Sequence, residues 1–128
     1  MNDHDETEPG NIAVIRGSVR AEPAVRELTV GGVVVQFDVA TTTESDGRQL
    51  NVSVPVAWND PTAAQLGVLA GGSEVLVVGT VRRRFFRVGG VTQSRTEVVA
   101  DAVVPTRQHK RVGTALRAAA DRVLDLAA

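Results

Sequence analysis

Arg82, Arg84 and Phe86 have the residue types and the spacing to grip an anionic polymer. They end the stretch EVLVVGTVRRRFFR, residues 74–87. At the two-residue period of a strand, Leu76, Val78, Thr80, Arg82, Arg84 and Phe86 share one face, and Val75, Val77, Gly79 and Val81 the other. Guanidinium groups interleaved with an aromatic ring on one strand face can hold a phosphate backbone while stacking a base. The competing reading is a charged strand end running into solvent, with Phe85 or Phe86 folded back into the core. Arg87, Arg95, Arg48 and Arg20 are weaker candidates for the same phosphate track, because each also suits a solvated face. Trp58, the single tryptophan, closes another strand and is either core filler or a second stacking ring.

No other chemistry competes with this stretch. The chain has no cysteine, so disulfides and thiolate metal sites are excluded. His4 lies in an acidic leader and His109 in an apparent linker, where neighbouring carboxylates are ordinary solvated residues. The Gly-Gly pairs suit turns, and none is followed by the Lys and Ser or Thr of a phosphate-binding loop. The expectation is a protein without catalytic residues, metal or cofactor.

The formal net charge of −1 argues against a nucleic-acid binder until its distribution is considered. Asp3, Asp5, Glu6 and Glu8 fall in the first nine positions, leaving 14 basic against 11 acidic residues in the remainder. Nearly all the cations are arginine, which suits bidentate phosphate contact and stacking. No apolar run approaches the roughly 20 residues that span a bilayer, and the acidic N-terminus lacks the basic and apolar regions of a signal peptide. The expectation is a soluble cytoplasmic protein.

At 128 residues the chain supports one domain. Residues 1–10 read as a disordered acidic tail, either a solubilising leader or a competitor for the basic face. NIAVIRGSVR reads as a strand in which Gly17 suggests a bulge or bend, and AEPA breaks it. VRELTV, a Gly31-Gly32 turn and VVVQFDVA then form a hairpin. Residues 41–48 read as a polar loop with an Asp46-Gly47 turn. In QLNVSVPVAW, Leu50, Val52, Val54 and Val56 oppose Asn51, Ser53, Pro55 and Ala57, and Pro55 implies a free edge or bulge. Asn59-Asp60-Pro61 reads as the start of a short helix with Ala64, Leu66 and Leu69 inward. The arginine strand, a turn at residues 88–90 and a final strand over 94–104 complete the sheet. Five or so antiparallel strands with one helix between the third and fourth are the order of an all-β OB-fold Greek-key barrel, spanning 11–105. Residues 106–128 read as a linker and an amphipathic helix, with Val112, Leu116, Ala119, Val123 and Leu126 near one face. That helix must cover something apolar, such as Leu76 and Val78 or the same surface on another subunit.

The run NIAVIRGSVRAEPAVRELTVGGVVVQFDVATT resembles the opening of the bacterial single-stranded DNA-binding protein (SSB) family, with Asn11, Gly17, Val19, Pro23, Arg26, Gly32 and VQFDVAT in register. VSVPVAWNDPTAAQLGVLAGGSEVLVVGTVRRRFF is similar to its second half, and TEVVADAVV to its last strand. The resemblance implies an OB fold, sequence-independent binding of single-stranded DNA by stacking and a basic track, and assembly into a homo-oligomer. By position it puts Trp58 and Phe86 at base-stacking sites and Arg82 and Arg84 on the basic strand. Two family aromatics are absent: the segment after Val39 reads Ala-Thr-Thr-Thr, and Val52 stands where another is common. At about 1–3 kcal/mol per stacked base, their loss forfeits roughly 2–6 kcal/mol. The chain also ends in DLAA in place of the family's long linker and acidic tip, which recruits replication and repair enzymes. Two readings follow: a binder of single-stranded DNA or RNA with weakened affinity, or an OB-fold interaction module whose nucleic-acid face has decayed under the C-terminal helix.

Overall fold

The computed structural model describes residues 10–127. Its elements run β1 (Ala13–Glu27), β2 (Val33–Ser45), β3 (Arg48–Asn59), α1 (Ala63–Leu66, continuing as a 3-10 turn over Gly67–Leu69), β4 (Glu74–Val88), β5 (Val91–Pro105) and α2 (His109–Ala127). The strands close a barrel in the order β1-β2-β3-β5-β4. All neighbours are antiparallel except β3 and β5, which meet in parallel at Val56–Val98 and Ala57–Val99. This is the OB-type architecture the strand order predicts. The acidic-tail expectation concerns residues 1–9 almost entirely, which lie outside the described residues.

β1 closes the barrel because it serves two partners. Its first part, Ala13 to Ser18, pairs with β4, and its second, Ser18 to Glu27, pairs with β2. The predicted break at AEPA is a bulge inside one continuous strand: the register shifts between Arg20 and Ala24, and Ala21 takes φ 58°. Gly17, expected at the bulge, instead pairs regularly with Val75. Its role is close approach, since a Cβ there would land on the Ala40 carbonyl oxygen and 2.8 Å from a Val39 methyl.

The expected loop at 41–48 is mostly sheet. β2 runs to Ser45, Asp46 and Gly47 turn with φ of 51° and 74°, and β3 starts at Arg48. Pro55 keeps its place opposite Asp38 on β2, while the ladder to β5 reaches only Val56, so the edge at Pro55 is open. The helix start also differs from expectation. Thr62 is the cap, in a reciprocal box with Gln65, and Asp60 instead accepts the Val33 N–H at 2.8 Å. Leu69 is buried and Leu66 half-buried, but Ala64 is exposed.

Alternation along the strands builds the core. Val19, Val35, Phe37, Val39, Val56, Trp58, Val75, Val77, Val98 and Val103 converge inside the barrel, and Leu69 plugs one end. Each such side chain contributes about 1.5–3 kcal/mol on leaving water. Leu76 and Val78 point out of the barrel into a second cluster with Ala119 of α2, against which Ile12, Ala102, Val112 and Ala115 pack. The helix starts at His109, and of the predicted face Val112 and Ala119 pack on the sheet. Ala115 and Ala119 meet the sheet, whereas Leu116 and Val123 stay 40 % and 48 % exposed. The Leu126 side chain lies outside the described residues.

Candidate nucleic-acid interface

β4 leaves the barrel wall at Val81. There the Asn11 side chain both donates to the Val81 carbonyl (2.6 Å) and accepts its N–H (3.1 Å), acting as one more strand residue before the arginines begin. Beyond it β4 and β5 continue as a hairpin whose turn is Gly89-Gly90. That register sets Arg82 opposite Glu97, Arg84 opposite Arg95 and Phe86 opposite Gln93.

Neither phenylalanine folds back into the core. Phe85 is 66 % exposed and Phe86 half-buried, each with an arginine over its ring: Arg83 at 5.5 Å from the Phe85 centroid and Arg84 at 5.4 Å from that of Phe86. Arg83 is steadied from below by the Ser94 hydroxyl, which accepts at 3.0 and 3.2 Å.

From Phe86 a chain of charged side chains crosses the barrel. Arg84 Nε lies 3.4 Å from Oε2 of Glu97, and the same oxygen accepts from Nη2 and Nε of Arg82 at 2.5 and 3.2 Å. Arg95, the ladder neighbour of Arg84, reaches to 3.8 Å from Asp38 on β2. Asp38 stands opposite Arg20 of β1 in the β1–β2 ladder. Arg20, Gln36, Asp38 and Arg95 line a recess of about 240 Å³. Arg20 also borders an open cleft of about 430 Å³ with Arg16, Thr42, Asn51 and Ser53. Val52, where the resemblance leads one to expect an aromatic, borders the same cleft.

The structure thus brings together Phe86, Arg84, Arg82, Arg95 and Arg20. It keeps two candidates apart. Arg48 sits at the tip of the β2–β3 hairpin, opposite Ser45, and Arg87 donates to the Gly90 carbonyl at 2.7 Å, bracing the β4–β5 turn. Trp58 requires correction as a stacking ring. It is 6 % exposed and lies in the barrel core, because it shares a strand face with Val54 and Val56. The sequence reading missed Glu97, Asp38 and Arg83 and named Phe85 only in the competing reading, as one of two rings that could fold back into the core. The signal for Glu97 was present: a two-residue turn at Gly89-Gly90 fixes its position across from Arg82.

Among the described residues no group of three or more His, Asp or Glu is placed to hold a metal, and no helix is long and apolar enough to cross a membrane.

A search of curated proteins finds no match. Among solved structures, the Plasmodium falciparum SSB in complex with ssDNA is similar, with a TM-score of 0.64 at 20 % sequence identity, over 74 % of this chain and 93 % of that one. At that identity the likeness speaks for the fold. The model of the single-strand binding protein family matches residues 11–106, the whole barrel and its five strands. The chain belongs to the single-strand binding protein family.

Proposed function

We propose that the protein binds single-stranded DNA without sequence preference, with the backbone along Arg84, Arg82, Arg95 and Arg20 and a base stacked on Phe86, while Phe85 offers a second ring on the opposite face of the same hairpin arm. Family membership supports the ligand. The observation that carries the site is the continuous passage from the half-buried Phe86 ring to arginines drawn from three strands. Stacking is indifferent to base identity and arginine to sequence, so such a surface holds a strand wherever it lands.

The site uses two rings on one hairpin, which implies a modest affinity dominated by charge. The protein acts as a non-enzymatic, cytoplasmic binder, and self-association belongs to the same reading. An apolar groove of about 460 Å³ between β1 and α2, lined by Ile12, Val14, Leu116, Ala120, Val123 and Leu124, supports it as the face for a second copy. The rival reading, a decayed face hidden by the C-terminal helix, has no geometric support: α2 packs on Leu76, Val78 and Ala102 and leaves the arginine belt open.

The test is fluorescence anisotropy of an end-labelled oligo-dT against the purified protein over a salt series, with a duplex and an oligo-U as comparison arms. Binding of oligo-dT that weakens linearly in log salt supports the reading. No binding at the lowest salt, or a preference for duplex, rejects it.

A further inference from the structure

Among the described residues Glu97 is the one charged or polar residue in the buried class, at 2 % exposed. Its carboxylate faces no solvent, yet it is set against two arginines that do: the Arg82 and Arg84 side chains are 45 % and 34 % exposed. One oxygen, Oε2, takes all the contacts, from Nη2 and Nε of Arg82 and alongside Nε of Arg84. Two guanidinium groups converging on a single anionic oxygen is the arrangement a phosphate oxygen would otherwise receive. The seat is already taken from within. Arg82, Arg84 and Glu97 together present one positive charge, and a phosphate arriving there must draw a guanidinium away from the carboxylate.

Resting on the single-stranded DNA reading above, we propose that Glu97 is an internal counter-ion: it holds Arg82 and Arg84 together in the free protein and competes with the DNA backbone for them. Two like charges on alternate residues of one strand face repel, and the carboxylate removes that repulsion without occupying the outer surface. The same competition lowers affinity and blunts its salt dependence. A phosphate met by a free guanidinium sheds its condensed cations, whereas a guanidinium still paired with Glu97 neutralises the phosphate less and frees fewer of them. Asp38 repeats the motif more loosely beside Arg95, at 3.8 Å with both side chains about half exposed.

The experiment is the oligo-dT titration across a salt series with the full chain, Glu97→Gln, Arg82→Gln and the double variant Arg82→Gln/Glu97→Gln. Glutamine keeps an acceptor for the arginines and removes the charge. Glu97→Gln is expected to bind up to about tenfold tighter at low salt and to steepen the log–log salt slope by about 0.7, the value of one more phosphate contact on a single strand. Arg82→Gln is expected to lower both. Adding Glu97→Gln to Arg82→Gln restores the net charge of the site, so the double variant regains the parent's slope. If Glu97→Gln alone fails to fold by circular dichroism, the comparison of Arg82→Gln with the double variant decides. A double variant no better than Arg82→Gln, or a folded Glu97→Gln with unchanged affinity and slope, overturns the counter-ion role. These outcomes are separate from failure of the functional reading, in which the parent itself binds no oligonucleotide and the counter-ion role falls with it.

Discussion

Trp58 sits directly across the β2–β3 ladder from Val35, and both side chains are inside the barrel, 6 % and 0 % exposed. The indole belongs to the core that holds the wall under the binding belt. Its emission is therefore expected to be blue-shifted, resistant to a collisional quencher and nearly unchanged by oligo-dT that binds by anisotropy. Strong quenching by oligo-dT would return Trp58 to the interface. Trp58→Ala is expected to cost about 3–5 kcal/mol of stability by chemical denaturation, in the range of large aromatic truncations in cores.

In the proposed site Phe86 carries the stacking. Phe86→Ala is expected to weaken oligo-dT binding by about 1–3 kcal/mol, roughly five- to 150-fold, with little change in the salt slope, because stacking releases no counterions. Phe85→Ala is expected to act in the same direction without loss of thermal stability, since the ring is 66 % exposed. Unchanged affinity in Phe86→Ala would move the stacking surface elsewhere.

Much of the fold was legible because strand periodicity is local. Alternating valines in β1 to β5, the turn at Asp46-Gly47 and the position of one short helix sufficed for the barrel order. The candidate site was legible only in half. Arg82, Arg84 and Phe86 declare themselves on one strand, but Glu97 becomes their partner only through the β4–β5 register. Trp58 was misplaced although its own strand gave its face: it is even-numbered with Val54 and Val56, both packed inside. The bulge at Ala21 depends on how far β1 must bend to serve two neighbours, and no local signal measures that. The docked face of α2 was legible in part, since Val112 and Ala119 lie on the predicted stripe. Ala115 joins them against Leu76 and Val78, while Leu116 and Val123 of the same stripe stay largely exposed.

α2 shields an apolar sheet face, which makes its removal informative. Truncation after Thr106 uncovers Leu76, Val78 and Ala102, at a cost of roughly 3 kcal/mol from the two larger side chains. The expected outcome is a lower melting temperature together with concentration-dependent self-association in light scattering. Oligo-dT affinity per folded chain should be retained, because the arginine belt lies away from α2. A truncated chain with unchanged melting temperature and mass would show that the helix does not dock as described.

The link between barrel and α2 also carries a pH signature. The Glu74 carboxylate accepts from the Thr106 hydroxyl at 2.7 Å and from Arg16 at 2.9 Å. The Thr106 hydrogen bond first, and then Arg16, hold its pKa below the ordinary carboxylate value. A carboxyl whose pKa is lower folded than unfolded contributes stability that is complete above the unfolded value and lost as pH falls through the folded one. Glu74 is exposed, so the contribution is small and screened by salt. Glu74→Gln is therefore expected to melt slightly below the parent near neutral pH and to converge with it in acid, once the parent's carboxyl is protonated. Melting curves for the two proteins across that range check the sign, and a difference that persists or widens in acid would contradict it.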